Sequence, residues 1–168
     1  RLRTVTGVQT CALPIYGQAN VPAYVSNIVA IAAGAYHSLA LRNDGFVFGW
    51  GGGSTNVDFG QSTIPVGLSN VVAIAAGGFH SLALEADGTV VAWGNNKYGQ
   101  TNVPALAQNA MAVAGGTFHS LAITIDGTVV GWGFNAQNQA SVPSNLLAAD
   151  LSSWIVVTTN HFSISNSP

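Results

Sequence analysis

Short apolar runs alternate with glycine-rich breaks along most of this chain, and the alternation recurs. Asn70–Ala76 (NVVAIAA) is small, apolar and partly β-branched, which predicts a buried strand. Gly77-Gly78 ends it. His80–Glu85 predicts a second strand, with Leu82 and Leu84 on one face and Ser81 and Ala83 on the other. Ala86-Asp87-Gly88 predicts the hairpin turn between strands, with Asp-Gly supplying its positive-φ positions. Thr89–Trp93 predicts a third strand, and Asn95–Gln100 a polar loop that Val103-Pro104 closes. Ala105–Val113 (ALAQNAMAV) holds good helix formers. Its equivalents Val66–Ile74 and Ala23–Ile31 do not, so a loop followed by a strand is expected there too.

The equivalents exist because the unit is copied in tandem. His80-Ser81-Leu82-Ala83-Leu84 recurs at His37–Leu41 and His119–Ile123. Asp87-Gly88 recurs at Asp44-Gly45 and Asp126-Gly127, and Trp93-Gly94 at Trp50-Gly51 and Trp132-Gly133. Each series steps by 43 and then 39 residues, and Pro22, Pro65, Pro104 and Pro143 share the spacing. Val66–Pro104 and Ala105–Pro143 align without a gap and are identical at 20 of 39 positions. The four extra residues fall between Trp50 and Gly60, where a surface loop takes an insertion at little cost. A small antiparallel sheet every 39 residues predicts an all-β fold of β-propeller blades, each covering its faces with its neighbours. A right-handed β-solenoid is the rival, but its rungs are shorter and lack a recurrent Asp-Gly hairpin. Small residues at Gly49, Ala92 and Gly131, and at Ala33, Ala76 and Gly115, fit close packing of sheet on sheet.

The pattern fails at both ends. Tyr16-Gly17-Gln18 is in register, but Cys11–Ile15 is not, so residues 1–15 are expected to be a non-native segment resembling translated sequencing-adapter read-through. After Pro143 the repeat calls for His at position 158, which is Thr158; His161 lies three residues on. Residues 16–168 therefore predict about four blades, the last degenerate, of a propeller fragment whose open faces need further blades or self-association.

Charge narrows the function classes. Only 6% of the 168 residues are charged, and the net charge is -2. Setting residues 1–15 aside leaves Arg42 and Lys97 against six acids. Phosphate neutralisation needs many more cations, so no nucleic-acid partner is expected. No apolar stretch is long enough for a membrane helix, so no membrane insertion is expected. The lone Cys11 supports neither an intrachain disulfide nor a cysteine zinc site.

The repeated polar residues read as structure. His37, His80 and His119 lie on successive blades, too far apart to share one metal ion, and are expected to bond backbone within their own blade. Asp44, Asp87 and Asp126 read as turn residues, and Trp50, Trp93 and Trp132 as blade core. Adjacent residues on a strand point to opposite faces, so His80-Ser81 is no catalytic dyad. Gly51-Gly52-Gly53-Ser54 lacks the spacing and lysine of a phosphate loop. No catalytic residue, metal or cofactor is expected. The segments that vary between copies are Gly52–Asp58, Asn95–Tyr98 and Phe134–Gln137. Their Asn, Gln and aromatic content suits contact with protein or glycan.

The block GGFHSLALEADGTVVAWGNNKYGQ (Gly77–Gln100) resembles the repeat of the regulator of chromosome condensation superfamily, and the likeness runs from Tyr16 to Pro143. That resemblance implies a seven-bladed propeller. Units near 39 residues with a Gly-Gln-Thr-x-Val-Pro linker, as at Gly99–Pro104, resemble its bacterial short-repeat branch, which includes β-lactamase inhibitory protein II. The branch implies a non-enzymatic, protein-binding module of a bacterial secreted or cell-surface protein. It also implies contact through the aromatic residue before each repeated His, here Tyr36, Phe79 and Phe118. With the variable loops, the partner-contact candidates are Tyr36, Phe79, Phe118, Asn95, Asn96, Tyr98 and Phe134. Loop packing is the competing role for the three aromatics before His. Inhibition of a secreted enzyme such as a β-lactamase is one alternative function. A lectin or an enzyme with its active groups in other blades is another. The basic tail and wedge of the guanine nucleotide exchange factor have no counterpart here.

Overall fold

A computed structural model of the chain describes residues 16–53 and 56–143. The 1–15 segment and the degenerate copy after Pro143 lie outside the described residues. Among the described residues nine strands form three antiparallel sheets, each of three strands in chain order. The first sheet holds β1 (Ile28–Ala33), β2 (His37–Arg42) and β3 (Val47–Gly51). The second holds β4 (Val71–Ala76), β5 (His80–Glu85) and β6 (Val90–Gly94). The third holds β7 (Ala110–Gly115), β8 (His119–Thr124) and β9 (Val129–Gly133). The helix-forming stretch after Pro104 yields only a single 3-10 turn, Ala105–Ala107, before β7 begins.

The registers repeat as the landmarks do. His37 faces Gly51, His80 faces Gly94 and His119 faces Gly133, and each first strand is bulged near its start. Only the glycine of each Asp-Gly turn has positive φ (Gly45, Gly88 and Gly127), which corrects the expectation for the pair. Its N–H closes the turn, as from Gly88 to the Glu85 carbonyl at 3.0 Å. The aspartate instead accepts from the backbone two residues on, as Asp87 Oδ1 does from Thr89 N at 2.9 Å.

Each first strand is entered through an asparagine in the left-handed region: Asn27, Asn70 and Asn109, at φ 56, 52 and 56. The Asn70 carbonyl accepts from Ala86 N at 2.9 Å, and Asn27 and Asn109 bond Asn43 and Ile125 alike. Each therefore holds its blade's hairpin. Asparagine tolerates this conformation better than other residues with a Cβ. Asn70→Ala is expected to lower stability by about 1 kcal/mol, and Asn70→Gly to stay near parent, in urea melts.

No sheet has a core of its own. One cluster lies between the first two sheets, built by Leu39, Leu41 and Val47 on one side and Val71, Ala83 and Trp93 on the other. A second, between the next two, repeats it with Leu82, Leu84 and Val90 against Ala110, Ala122 and Trp132. Close approach depends on small residues. A Cβ on Gly115 would stand 2.7 Å from Gly77 N and 2.9 Å from Ala76 C.

A polar chain crosses each interface. His37 Nε2 lies 2.8 Å from Ser81 Oγ on the next sheet, and His80 Nε2 lies 2.9 Å from Ser120 Oγ. Ser81 Oγ donates to the Gln61 carbonyl at 2.7 Å, so the histidine must donate to the serine. The same carbonyl accepts Trp93 Nε1 at 2.9 Å, and Gln100 serves Ser120 and Trp132 alike. The repeated histidine thus bonds the following blade's serine, not backbone of its own blade. Packing of sheet on sheet sets the His of one copy against the Ser of the next, out of reach of its own blade's backbone. The pair is still no catalytic dyad: His37, Ser81 and Gln61 are wholly buried, and the serine proton is committed to a carbonyl.

Candidate functional site

In every sheet the end of the first strand, the start of the second and the end of the third lie together, opposite the Asp-Gly hairpin. Two repeat positions place aromatic rings at that end. One is the residue before His: Tyr36, Phe79 and Phe118. The other is the residue before Gly-Gln: Tyr16, Phe59 and Tyr98. Phe134 adds a ring at the start of the third loop.

The backbone aims these rings at one another. Tyr98 N donates to Gln100 Oε1 at 2.9 Å, and Phe59 N to Gln61 Oε1 at 2.7 Å, so the buried glutamine fixes the aromatic two residues before it. The Phe118 carbonyl accepts Phe134 N at 2.8 Å, and the Phe79 carbonyl accepts Asn95 N at 2.9 Å. The result is a continuous run across three blades. Tyr16 meets Tyr36 at 5.0 Å between centroids, Tyr36 meets Phe79 at 4.8 Å, and Phe79 stacks on Phe118 at 5.8 Å and 7°. Phe59 sits edge-on to Phe79 at 5.6 Å. Tyr98 bridges Phe118 and Phe134 at 5.3 and 4.8 Å. Tyr36, Phe79, Phe118 and Phe134 are half-buried, whereas Phe59 and Tyr98 are 46% and 38% exposed.

Of the seven candidates, Tyr36, Phe79, Phe118, Tyr98 and Phe134 come together in this run. Asn95 and Asn96 serve the loop itself. Asn95 Oδ1 accepts from Lys97 N and Gln100 Nε2, both at 3.0 Å. Asn96 accepts from Thr101 N at 3.0 Å and donates to Asn102 Oδ1 at 2.7 Å. Sequence reasoning passed over Tyr16 and Phe59. The signal was present, since both share the repeat position of Tyr98.

The surface is apolar and nearly uncharged, with Lys97 5.3 Å from the Tyr98 ring centroid. Behind it, burial pushes His37 and His80 down to about 4, so both rings are neutral at pH 7. Among the described residues no three His, Cys, Asp or Glu side chains gather to hold a metal. No helix there is long and apolar enough to cross a membrane. The hairpin end of the first blade carries a separate cluster, with Arg42 paired to Asp44 at 2.8 Å and lying 5.0 Å from the Phe46 ring centroid. That pairing holds the exposed Asp44 carboxyl below its ordinary range.

Repeated three-stranded sheets that share their cores, with one end given to ring-bearing loops, define a segment of a β-propeller. The sequence matches the regulator of chromosome condensation (RCC1) repeat at residues 28–61, 71–100 and 112–139. The chain belongs to that repeat family. Among solved structures it is similar to Prp20p from Saccharomyces cerevisiae, studied for its binding to Gsp1p and histones. The two are 30% identical with a TM-score of 0.60, over 77% of this chain and 36% of that one. Yeast RCC1 (Prp20), solved bound to Kap60, gives 31% identity and a TM-score of 0.59 over 77% and 35%. The ectodomain of the Physcomitrella patens receptor kinase CR4 gives 25% and 0.54 over 64% and 30%. This chain thus spans about a third of the length of each. No curated protein matches the sequence.

Proposed function

We propose that this chain is a non-catalytic, protein-binding segment of a propeller and that it contacts its partner through the aromatic end of its blades. The run of rings from Tyr16 to Phe134 carries this reading. Rigid aromatic side chains, half-buried and braced by their neighbours, offer contact area at small entropic cost, as interface hot spots do. The similar yeast protein, studied with Gsp1p, histones and Kap60, supports protein rather than small-molecule binding. We assign the chain to a bacterial secreted or surface protein, on the short repeat and the scarcity of charge. Inhibition of a secreted enzyme is the second reading, favoured by the aromatic residue before each repeated His.

The test immobilises the chain and presents a small GTPase, core histones and a class A β-lactamase in turn. Phe59→Ala with Tyr98→Ala is expected to weaken the binding found by roughly 30-fold or more, the scale of a hot-spot loss of about 2 kcal/mol. Phe46→Ala at the hairpin end serves as control. Equal binding by both variants refutes the aromatic surface. Phe79 is a poorer probe than its sequence position alone implies. It touches Tyr36, Phe59 and Phe118, and at about 0.5–1.5 kcal/mol per aromatic pair its removal also lowers stability.

A further inference from the structure

The aromatic run has relief. Phe79 and Phe118 lie parallel, 5.8 Å apart at 7°, and form its floor. Phe59 stands edge-on to Phe79 at 85°, and Tyr98 edge-on to Phe118 at 65°. Both are more exposed than the stacked pair, so they rise beside it as two ridges. These four rings lie over the two junctions between described blades, so the blades on either side of them are already in place. Neighbouring centroids along the run are 4.8 to 6.3 Å apart. Rings that close are in contact. They leave no gap to cage a cation or to take the side-chain knob of a helix.

Charge and hydrogen bonding limit what lies on that surface. Asp58 and Lys97 hold the same repeat position and offset each other, whereas Asp44, Glu85, Asp87 and Asp126 all lie at the hairpin end. The aromatic end therefore complements an uncharged segment. Its polar groups are committed to the loops: Gln61 and Gln100 to the N–H groups of Phe59 and Tyr98, Asn96 to Thr101 and Asn102, and the Phe79 and Phe118 carbonyls to Asn95 and Phe134. A strand or a sugar laid flat here would bury N–H groups or hydroxyls without partners, at a desolvation cost for each. Proline in polyproline II brings no N–H and keeps its carbonyls in water. Its flat ring suits a surface of contacting rings. The spacing fits as well. The steps from Tyr36 to Phe79 and from Phe79 to Phe118 are 4.8 and 5.8 Å. Two such steps come close to the roughly 9 Å of one three-residue polyproline turn. Prolines three positions apart then meet Tyr36 and Phe118, with Phe79 beneath the turn between them. Tyr98, 38% exposed, offers its hydroxyl to a carbonyl of the segment.

We propose that the aromatic end binds an uncharged, proline-rich segment of the partner in the polyproline II conformation. The segment runs from blade to blade over the stacked floor, beside the ridges of Phe59 and Tyr98, with its prolines on the ring faces. This rests on the aromatic surface proposed above and adds the class of its occupant.

The experiment titrates the whole chain into a labelled, capped ten-residue peptide of prolines with leucine at every third position, read by fluorescence anisotropy. Saturable binding is expected. A peptide with alanine at each proline, equally uncharged, is expected to bind about ten-fold more weakly or worse, because it must be ordered and brings N–H groups to the surface. Phe59→Ala with Tyr98→Ala is expected to weaken binding of the proline peptide by roughly 30-fold or more. Tyr98→Phe, which removes only the hydroxyl, is expected to weaken it a few-fold, and Phe46→Ala to leave it unchanged. Equal binding of the two peptides overturns the proposal. So does binding that the double alanine variant leaves intact, or a surface that ignores the proline peptide and takes a chitin hexasaccharide instead. If the proline peptide does not bind but the double variant still loses capture of a folded partner, the occupant is wrong and the aromatic surface stands. If the variant loses neither, both readings fall.

Discussion

Acidification from pH 7 toward pH 4.5 is expected to unfold this protein, with the loss of stability beginning near pH 6.5, above the range in which carboxylates titrate. His37 and His80 are neutral in the fold, both held at about 4, His37 by burial and His80 by burial together with the nearby His37 and His119. No carboxylate contributes to either shift. In the unfolded chain the same rings titrate near the ordinary histidine value of about 6.5. Between those two values the unfolded state binds more protons, so stability falls as pH falls through that window. Each histidine then costs on the order of 3 kcal/mol at the acid end, from about 1.4 kcal/mol per pH unit. Two of them approach the whole stability of an ordinary domain. Urea midpoints measured from pH 7.5 to 4.5 check this. The double variant His37→Gln, His80→Gln, which keeps a side-chain N–H donor at each position, should flatten the curve above pH 5. A wild-type midpoint that stays level down to pH 5 would refute the assignment.

Gly77→Ala is expected to be among the most damaging single changes in the chain, at about 3 kcal/mol. Gly77 follows β4, and a Cβ there would stand 2.6 Å from the Gly116 carbonyl oxygen and press on the His80 ring. Gly34 and Gly116 are in the same position relative to His37 and His119. The obstacle includes backbone of the next blade, which cannot move aside without parting the two sheets. Gly67→Ala is the comparison. Nothing lies within 4 Å of its added methyl, so only the positive φ of 91° opposes it, at about 1 kcal/mol. Equal losses at the two glycines in chemical denaturation would mean that the blade contact is looser than the geometry requires.

The fold was legible because every copy repeats the same local instructions. His80–Glu85 is a strand over the predicted span, β4 starts one residue later than expected and ends as expected, and β6 is displaced by one residue. The strand entry at Asn70 was not legible as a left-handed residue, since only its bond to the hairpin beside it makes that conformation pay. The candidate surface was half legible. The position before His stood out, but its companion before Gly-Gln stood out only at Tyr98, because nothing local shows that Phe59 reaches Phe79. Asn95 and Asn96 looked available for contact, and the loop uses both to hold its own backbone.

Local sequence by itself determined the repeat, the three strands per unit, the hairpins and the family. Those depend on alternation, turn chemistry and spacing, which act over a few residues. Only the tertiary structure decided which residues meet across a blade boundary. His37 and Ser81 are 44 positions apart, and Phe79 and Phe118 stack across two blades. Such pairs form only when whole sheets pack face to face, so the histidine partner and the aromatic run appear at that level alone.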